Sequence, residues 1–433
     1  MPKTFHNPYN FVRTPNRTEE VLKDPFAGDH DPSKSEYREN HSRYWSERYT
    51  GVIPVRLRTQ TPLFITNPET RRKMEGVTDH YIYDCLEYIP ATALKGMLSS
   101  AYEIVTNSRY RVFGKQNFTQ LKYRDGWDKK TYPCSPADCM PDSLHPAKTI
   151  ERLSPADRLF GWVEQEGKRA WRGKLRFSDA IYEGAGKPVE GFSEKDGKPL
   201  KILGAPKPAQ ARFYLGDASG EPQRDGQSKE EAGYKNGKKL RGRKVYLHHQ
   251  SFSPPSVFTQ KRDKQNRSIT GWIPAGKKFS FSIRFENLTG EELGGLLFLL
   301  GLSGPKHPYY FRLGYGKPLG LGSVELTADA RKTVISSGNE MATRYRSLEK
   351  GAVIPEGKDL NLFTEIFLRA SRRSLLLHDF IKVGEGVDGT ISYGVIEGRP
   401  DAPIYEWFVA NERGAKRSLP SIGEPLQSYP PRS

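Results

Sequence analysis

The run Phe311–Leu326, FRLGYGKPLGLGSVEL, limits what this chain can fold into more than any other stretch. It holds Gly314, Gly316, Gly320 and Gly322, with Lys317 between the two pairs. An apolar, helix-like run at Glu291–Leu302 precedes it, and a short β-like segment at Ser323–Leu326 follows. Glycine lets a backbone turn tightly and approach another molecule closely. Successive N–H groups in such a loop form an anion-binding concavity, and Lys317 adds a positive charge beside it, so a phosphate is the natural guest. A P-loop would need Ser or Thr after the lysine, where Pro318 stands, and a dinucleotide fingerprint would open a helix rather than a strand. On spacing alone, a ligand-free Gly-rich hairpin is the competing reading.

Charge supports an anionic guest. The 433 residues carry a net charge of +17, which suits a polyanionic partner: nucleic acid first, an anionic membrane surface second. The 22 Tyr, 21 Phe and 6 Trp add side chains that stack on bases as well as fill a core. No apolar run approaches the roughly 20 residues that span a bilayer, and MPKTFHNPYNFVR lacks the apolar region of a signal peptide. Three cysteines, Cys85, Cys134 and Cys139, make no disulfide framework, so a reducing cytoplasm is expected.

Residues 1–50 are polar and read as an extended arm that orders against a partner. Val52–Ile65 alternates as a strand, with Val55 and Leu57 on one side and Arg56 and Arg58 on the other. A polar loop with Arg71, Arg72 and Lys73 leads to a second strand, His80–Tyr88. A helix follows from about Thr92 to Val105, with Leu94, Met97, Leu98 and Tyr102 on one face and Thr92 as its cap. Free N–H groups at that end attract phosphate. Lys95 stands in the first turn, against the helix dipole, which makes sense beside an anion. Residues 106–150 and 181–245 read as insertions, with Asp217–Lys239 a mobile loop. The segment from His248 to Gly271 reads as a basic hairpin. Ile273–Phe285 alternates as a clean strand, and Asn287–Leu302 forms a helix. Residues 331–433 form a C-terminal extension with an amphipathic helix at about Leu360–Leu377, carrying Arg369, Arg372 and Arg373. It is expected to dock on the core or on a neighbouring subunit.

Four stretches together resemble the RAMP superfamily of CRISPR-associated proteins: YIPATALKG, then LFG with GKLRFSDA, then LGAPKPAQARFYL, and the glycine-rich run. FHNPYNFVR is similar to the start of a long single-unit subgroup found with type III systems. The resemblance implies an α+β, RRM-like (ferredoxin-like) core at 51–330 and a β-hairpin thumb at about 250–270. It also implies N- and C-terminal extensions at 1–50 and 331–433. The implied function is a backbone subunit that binds guide RNA and complementary target RNA beside other effector subunits. The implied RNA contacts are Thr92, Lys95, Gly314, Gly316, Lys317, Gly320, Gly322, Arg71, Arg72, Arg262 and Arg267.

In slicing members of that family an Asp precedes the I-P-x-S/T-x-L-K-G helix. Asp79 occupies the matching loop, and a carboxylate there can hold a divalent metal such as Mg for target cleavage. Asp84 is a second candidate, on a strand. The alternative is a stand-alone, metal-independent endoribonuclease that processes precursor RNA, with His80 or the pair His248–His249 as base. Adjacent strand residues point to opposite faces, so that pair cannot readily act together. Cys134, Cys139 and His145 could hold zinc with a fourth ligand. The C-P-x-C that often holds zinc in relatives is replaced here by Ser154-Pro-Ala-Asp157.

Overall fold

The alternation in the first long strand sets the architecture. In Tyr49–Thr59 (β1), Ile53, Val55 and Leu57 are buried while Arg56 and Arg58 are exposed. One face of any sheet built on it must therefore be covered and the other left open. The computed structural model describes residues 3–15, 43–111, 113, 122–125, 128–131, 136–164, 167, 169–203, 208, 210–302, 309–346, 359–371, 375–399 and 404–431. After β1 come helix α1 (Ala91–Val105), strands β2 (Leu175–Phe177) and β3 (Ile181–Tyr182), and the long strand β4 (Lys278–Leu288). Helix α2 (Gly290–Leu299) follows, then β5 (Phe311–Arg312), β6 (Ser323–Ala328) and β7 (Val334–Ser337).

These strands form one antiparallel sheet. β4 pairs with β1 from Lys278↔Arg58 to Phe285↔Gly51. β2 and β3 follow one another along the far side of β4. β6 and β7 follow one another along the far side of β1, and β5 closes the edge beyond β6. Helices α1 and α2 cover the apolar face, burying Leu94, Leu98, Tyr102, Leu293, Leu296 and Leu297 with Ile53, Val55 and Phe279. Met97 is only partly buried. Helix α3 (Leu360–Ser371) lies across α2 at Gly294, where a Cβ would collide with the Phe363 carbonyl.

Three expectations change. His80–Tyr88 does not join the main sheet. Of its buried residues His80, Ile82 and Cys85, the last two are three apart, so the two-residue period breaks and only Tyr81–Tyr83 is a strand. That strand joins a small separate sheet with Arg72–Lys73, Arg267–Ile269 and Lys198–Pro199. The segment 250–270 does not pair with itself as a thumb hairpin. Pro254 and Pro255 open a short 3-10 turn, and a proline cannot donate to a ladder. The run Asp217–Lys239 is packed rather than loose. The Gln223 amide donates to the carbonyls of Leu215 and Ala232, and Tyr234 is buried with its hydroxyl on the Pro208 carbonyl.

Part of the N-terminal arm orders against its own chain. Thr4–Phe5 pairs with Leu426–Gln427, and Tyr9–Val12 pairs with Arg243–Tyr246. Phe5, Tyr9 and Phe11 join Phe213, Trp407 and Leu426 in a second apolar core. Residues 16–42 lie outside the described residues. The extension is helical at Leu360–Ser371, Leu375–Glu385 (α4) and Ile404–Arg413 (α5), and Arg372 and Arg373 of the expected 360–377 helix lie outside the described residues. Among the described residues no helix is long and apolar enough to cross a membrane.

Candidate nucleic-acid interface

The glycine-rich loop joins β5 to β6, and its backbone explains its composition. Gly314, Gly316, Gly320 and Gly322 have φ of 76°, 77°, 92° and 79°, a region that side chains rarely enter. The loop is clamped from behind. The Tyr315 amide donates to the Phe64 carbonyl at 2.9 Å, Gly322 to Pro62 at 2.8 Å, and Leu313 to Gly322 at 2.8 Å. The buried Thr61 hydroxyl donates to the Gly320 carbonyl at 2.7 Å. Leu319 and Gly320 donate within the loop itself. The amides of Tyr315, Leu319, Gly320 and Gly322 are therefore engaged inside the protein, and side chains add positive potential beneath the loop.

Those side chains include residues the sequence did not single out. The Arg312 guanidinium reaches the carbonyls of Lys317 and Leu321 at 2.8 and 2.9 Å and also bonds the Ser323 hydroxyl. The His248 ring takes the same hydroxyl at 2.7 Å. A Cβ on Gly320 would lie 2.6 Å from His249 Nδ1. Burial pulls the Arg312 guanidinium down to about 9. Burial and Arg312 pull His248 down to about 4, and those two causes with His248 pull His249 down to about 3. The Lys317 ammonium is lowered by burial and then by Arg312. Arg312 makes no ion pair among the described residues, and its Nε and His249 Nε2 are buried without a hydrogen-bond partner. This is a cationic floor with no acid paired to it among the described residues. The arginine in F-R-L-G was legible only as one of many.

The loop abuts the small sheet. Burial raises the Tyr315 hydroxyl, with Arg267 and Tyr83 also acting on it. In that sheet the Arg71 guanidinium lies 3.9 Å from the Tyr81 ring centroid and Arg267 lies 5.4 Å from it. Arg72 pairs with Asp84 at 3.3 Å, and Arg262 donates to the Gly197 carbonyl at 2.9 Å. Asp84 also accepts from the Thr270 hydroxyl at 2.7 Å, which is a structural role. Asp79 sits at the exposed tip of the turn before Tyr81–Tyr83, with a φ of 54° that Asp tolerates, and Lys73 Nζ lies 3.2 Å from it. Arg71, Arg72, Asp79, Arg262, Arg267 and the glycine-rich loop thus form one neighbourhood.

Thr92 and Lys95 belong elsewhere. Ile89 pairs with Ala180 just before β3, so the start of α1 lies at the β2/β3 edge, across the sheet from the loop at the β5/β6 edge. At ~4.8 Å per strand the separation is on the order of 15–20 Å. The two stretches do not share a compact groove. Thr92 does not cap the helix either: Pro90 takes that position. Instead the Asp179 carboxylate accepts from the Ala91 amide at 2.7 Å. A carboxylate thus occupies one of the donors expected to meet phosphate. Thr92 is exposed, and Lys95 is half-buried, its ammonium lowered by burial and then by Arg111.

The remaining candidates are structural or undescribed. His80 is fully buried, with Nδ1 on the Asp263 carbonyl at 2.9 Å and Nε2 on the Ser268 hydroxyl at 2.8 Å. Cys134 lies outside the described residues. Cys139 is buried in a small apolar cluster with Ala211, Leu215 and Tyr234, and His145 Nε2 faces the carbonyls of Ala137 and Met140. Among the described residues no group of three or more His, Cys, Asp or Glu is placed to hold a metal.

Comparison with known proteins adds three findings. A family model described as the RAMP superfamily matches residues 56–325. No curated protein matches. Among solved structures, a chain of a "Type IV-B CRISPR Complex" is similar over 65% of this chain and 91% of its own, at 15% identity and a TM-score of 0.27.

Proposed function

The chain belongs to the RAMP superfamily, whose family model covers residues 56–325, and on that premise we propose that it is a guide-RNA-binding backbone subunit of a type III CRISPR effector complex. The observation that carries the proposal is the glycine-rich loop laid over Arg312 and Lys317, with no acid paired to either among the described residues, beside Arg71 and Arg267. Phosphate is the ligand such a floor stabilises. The strand order β2/β3, β4, β1, β6, with α1 and α2 as crossovers, supports an RRM-like core. Specificity in this reading comes from base pairing by the guide, and the protein grips the backbone. Other effector subunits are its proposed partners.

Target cleavage is assigned to Asp79. Its exposed carboxylate fits a magnesium ion held by one protein ligand, with waters and RNA phosphate oxygens supplying the rest. Such an ion would stabilise charge on the attacked phosphate. The histidines weighed for metal-free processing are buried: His80 is bonded through both ring nitrogens, and His248 and His249 lie behind the loop. That favours the subunit over a stand-alone nuclease.

The test is affinity for guide RNA as a function of salt. For the full chain the logarithm of affinity should fall linearly with the logarithm of salt, by ~0.7 per phosphate contact. Lys317→Ala should reduce that slope by ~0.7. In the assembled complex Asp79→Ala should abolish cleavage of complementary RNA and leave it bound. Affinity indifferent to salt would refute the binding role, and undiminished cutting would refute the role of Asp79.

A further inference from the structure

The uncovered face of the main sheet carries a cation track. Arg56 and Arg58 on β1, Lys278 and Arg284 on β4, and Arg176 on β2 all point away from the helices and are exposed. The register sets like charges directly opposite one another across β1, β4 and β2, Arg58 facing Lys278 and Arg176 facing Arg284, while Arg58 faces Glu325 on its β6 side. Opposed residues in an antiparallel pair have Cβ atoms about 5 Å apart, and like charges there destabilise the sheet. Arg58, Lys278 and Arg284 make no ion pair among the described residues. The acids on this face are Glu183, bonded to Arg56 at 3.2 Å, Glu286, bonded to Arg172 at 2.6 Å and to Arg176 at 3.5 Å, and Glu325, which accepts from Gln60. They do not cancel the excess. The levels of Arg58 and Arg284 are six residues apart along β1, so the track is ~20 Å long.

Its margins suit nucleotides. Tyr88 and Ile181, 40% and 58% exposed, stand together at the β3 edge. At the opposite edge Tyr310 lies near enough to Glu325 and Arg58 for both to act on its hydroxyl. A cationic surface bordered by aromatic rings is what single-stranded nucleic acid uses, phosphates on cations and bases on rings. Its cations lie on β2, β4 and β1, between the edge that carries the start of α1 and the edge that carries the glycine-rich loop.

We propose that the open face of this sheet binds the phosphate backbone of single-stranded RNA and carries it from the Lys95 edge to the glycine-rich loop. The proposal rests on the RNA-binding reading above. The test uses a fluorescently labelled single-stranded RNA, polyglutamate as a control anion, and the full-length double variant Arg58→Gln/Lys278→Thr. RNA affinity should fall roughly tenfold and the salt slope by ~1.4, two contacts' worth for a single strand. The melting temperature should hold or rise, because a like-charge pair has been removed. If that variant fails to fold, Arg176→Gln/Arg284→Gln reports on the second pair, with the same expectations for affinity and salt slope. Wild-type binding with an unchanged slope in the variant would overturn the track while sparing the loop. A wild-type chain that binds no RNA would instead refute the proposed function. An equal loss of polyglutamate and RNA binding would assign the face to an acidic protein surface and overturn the proposal.

Discussion

At the scale of single residues, the two histidines behind the glycine-rich loop make its stability depend on pH. His248 and His249 are held at about 4 and about 3, against an ordinary value near 6.5. Between those limits the unfolded chain binds protons that the folded chain refuses, so stability falls as pH drops below about 6.5. Denaturant unfolding at pH 7 and pH 5 should show a loss on the order of 2–4 kcal/mol from the pair. His249→Gln should make the loss markedly smaller, and an unchanged loss would show that His249 is not held neutral. Both histidines are core residues. Arg312 stayed invisible because nothing in F-R-L-G says that its guanidinium turns under the loop.

At the scale of elements, motifs that read as functional are also joints. The L-F-G and K-L-R-F-S-D-A stretches meet at a buried acid. Glu292, in the first turn of α2, takes Lys174 at 3.0 Å and Arg158 at 3.3 Å, and all three are nearly inaccessible. Its carboxylate also accepts from the Thr289 amide. Burial alone would raise Glu292, but Lys174, Arg158 and Arg48 overcome it and hold the carboxylate at about 2. Its contribution is therefore present above about pH 4.5 and lost as pH falls toward 2. Glu292→Gln leaves two buried cations unmatched and should cost about 3–5 kcal/mol in urea unfolding at pH 7. A cost under 1 kcal/mol would mean that water reaches the site. Asp179 plays a similar part for α1. The long strands β1 and β4 were legible because their period of two ran unbroken. The short strand Tyr81–Tyr83 was not, because its buried residues lose that period after Ile82.

At the scale of the whole molecule, the ends of the described chain hold each other. Phe5 meets the Trp407 ring edge-on at 5.5 Å, and Arg13 bonds Asp379 in α4 at 2.7 Å. Deleting residues 1–15 should strip this second core of three aromatics, each worth ~1.5–3 kcal/mol. Limited proteolysis should then cut within 404–431 well before the main sheet is attacked. Cleavage that starts in the main sheet would show that the extension stands unaided. Polar composition hid this packing: four aromatic or branched residues among Asn, Pro and Arg looked like a partner-seeking arm, and the partner is the far end of the same polypeptide. Placing residues 4–12 therefore required knowing where residue 426 lies, which no local pattern encodes.

The pairing of Thr4–Phe5 with Leu426–Gln427 also orders events during synthesis. The strand at Thr4–Phe5 must wait for its seat, which is translated more than four hundred codons later. Tyr9 and Phe11 can pack once Tyr214 and Arg243–Tyr246 are made, but Phe5 stays without its ring partner until Trp407 emerges.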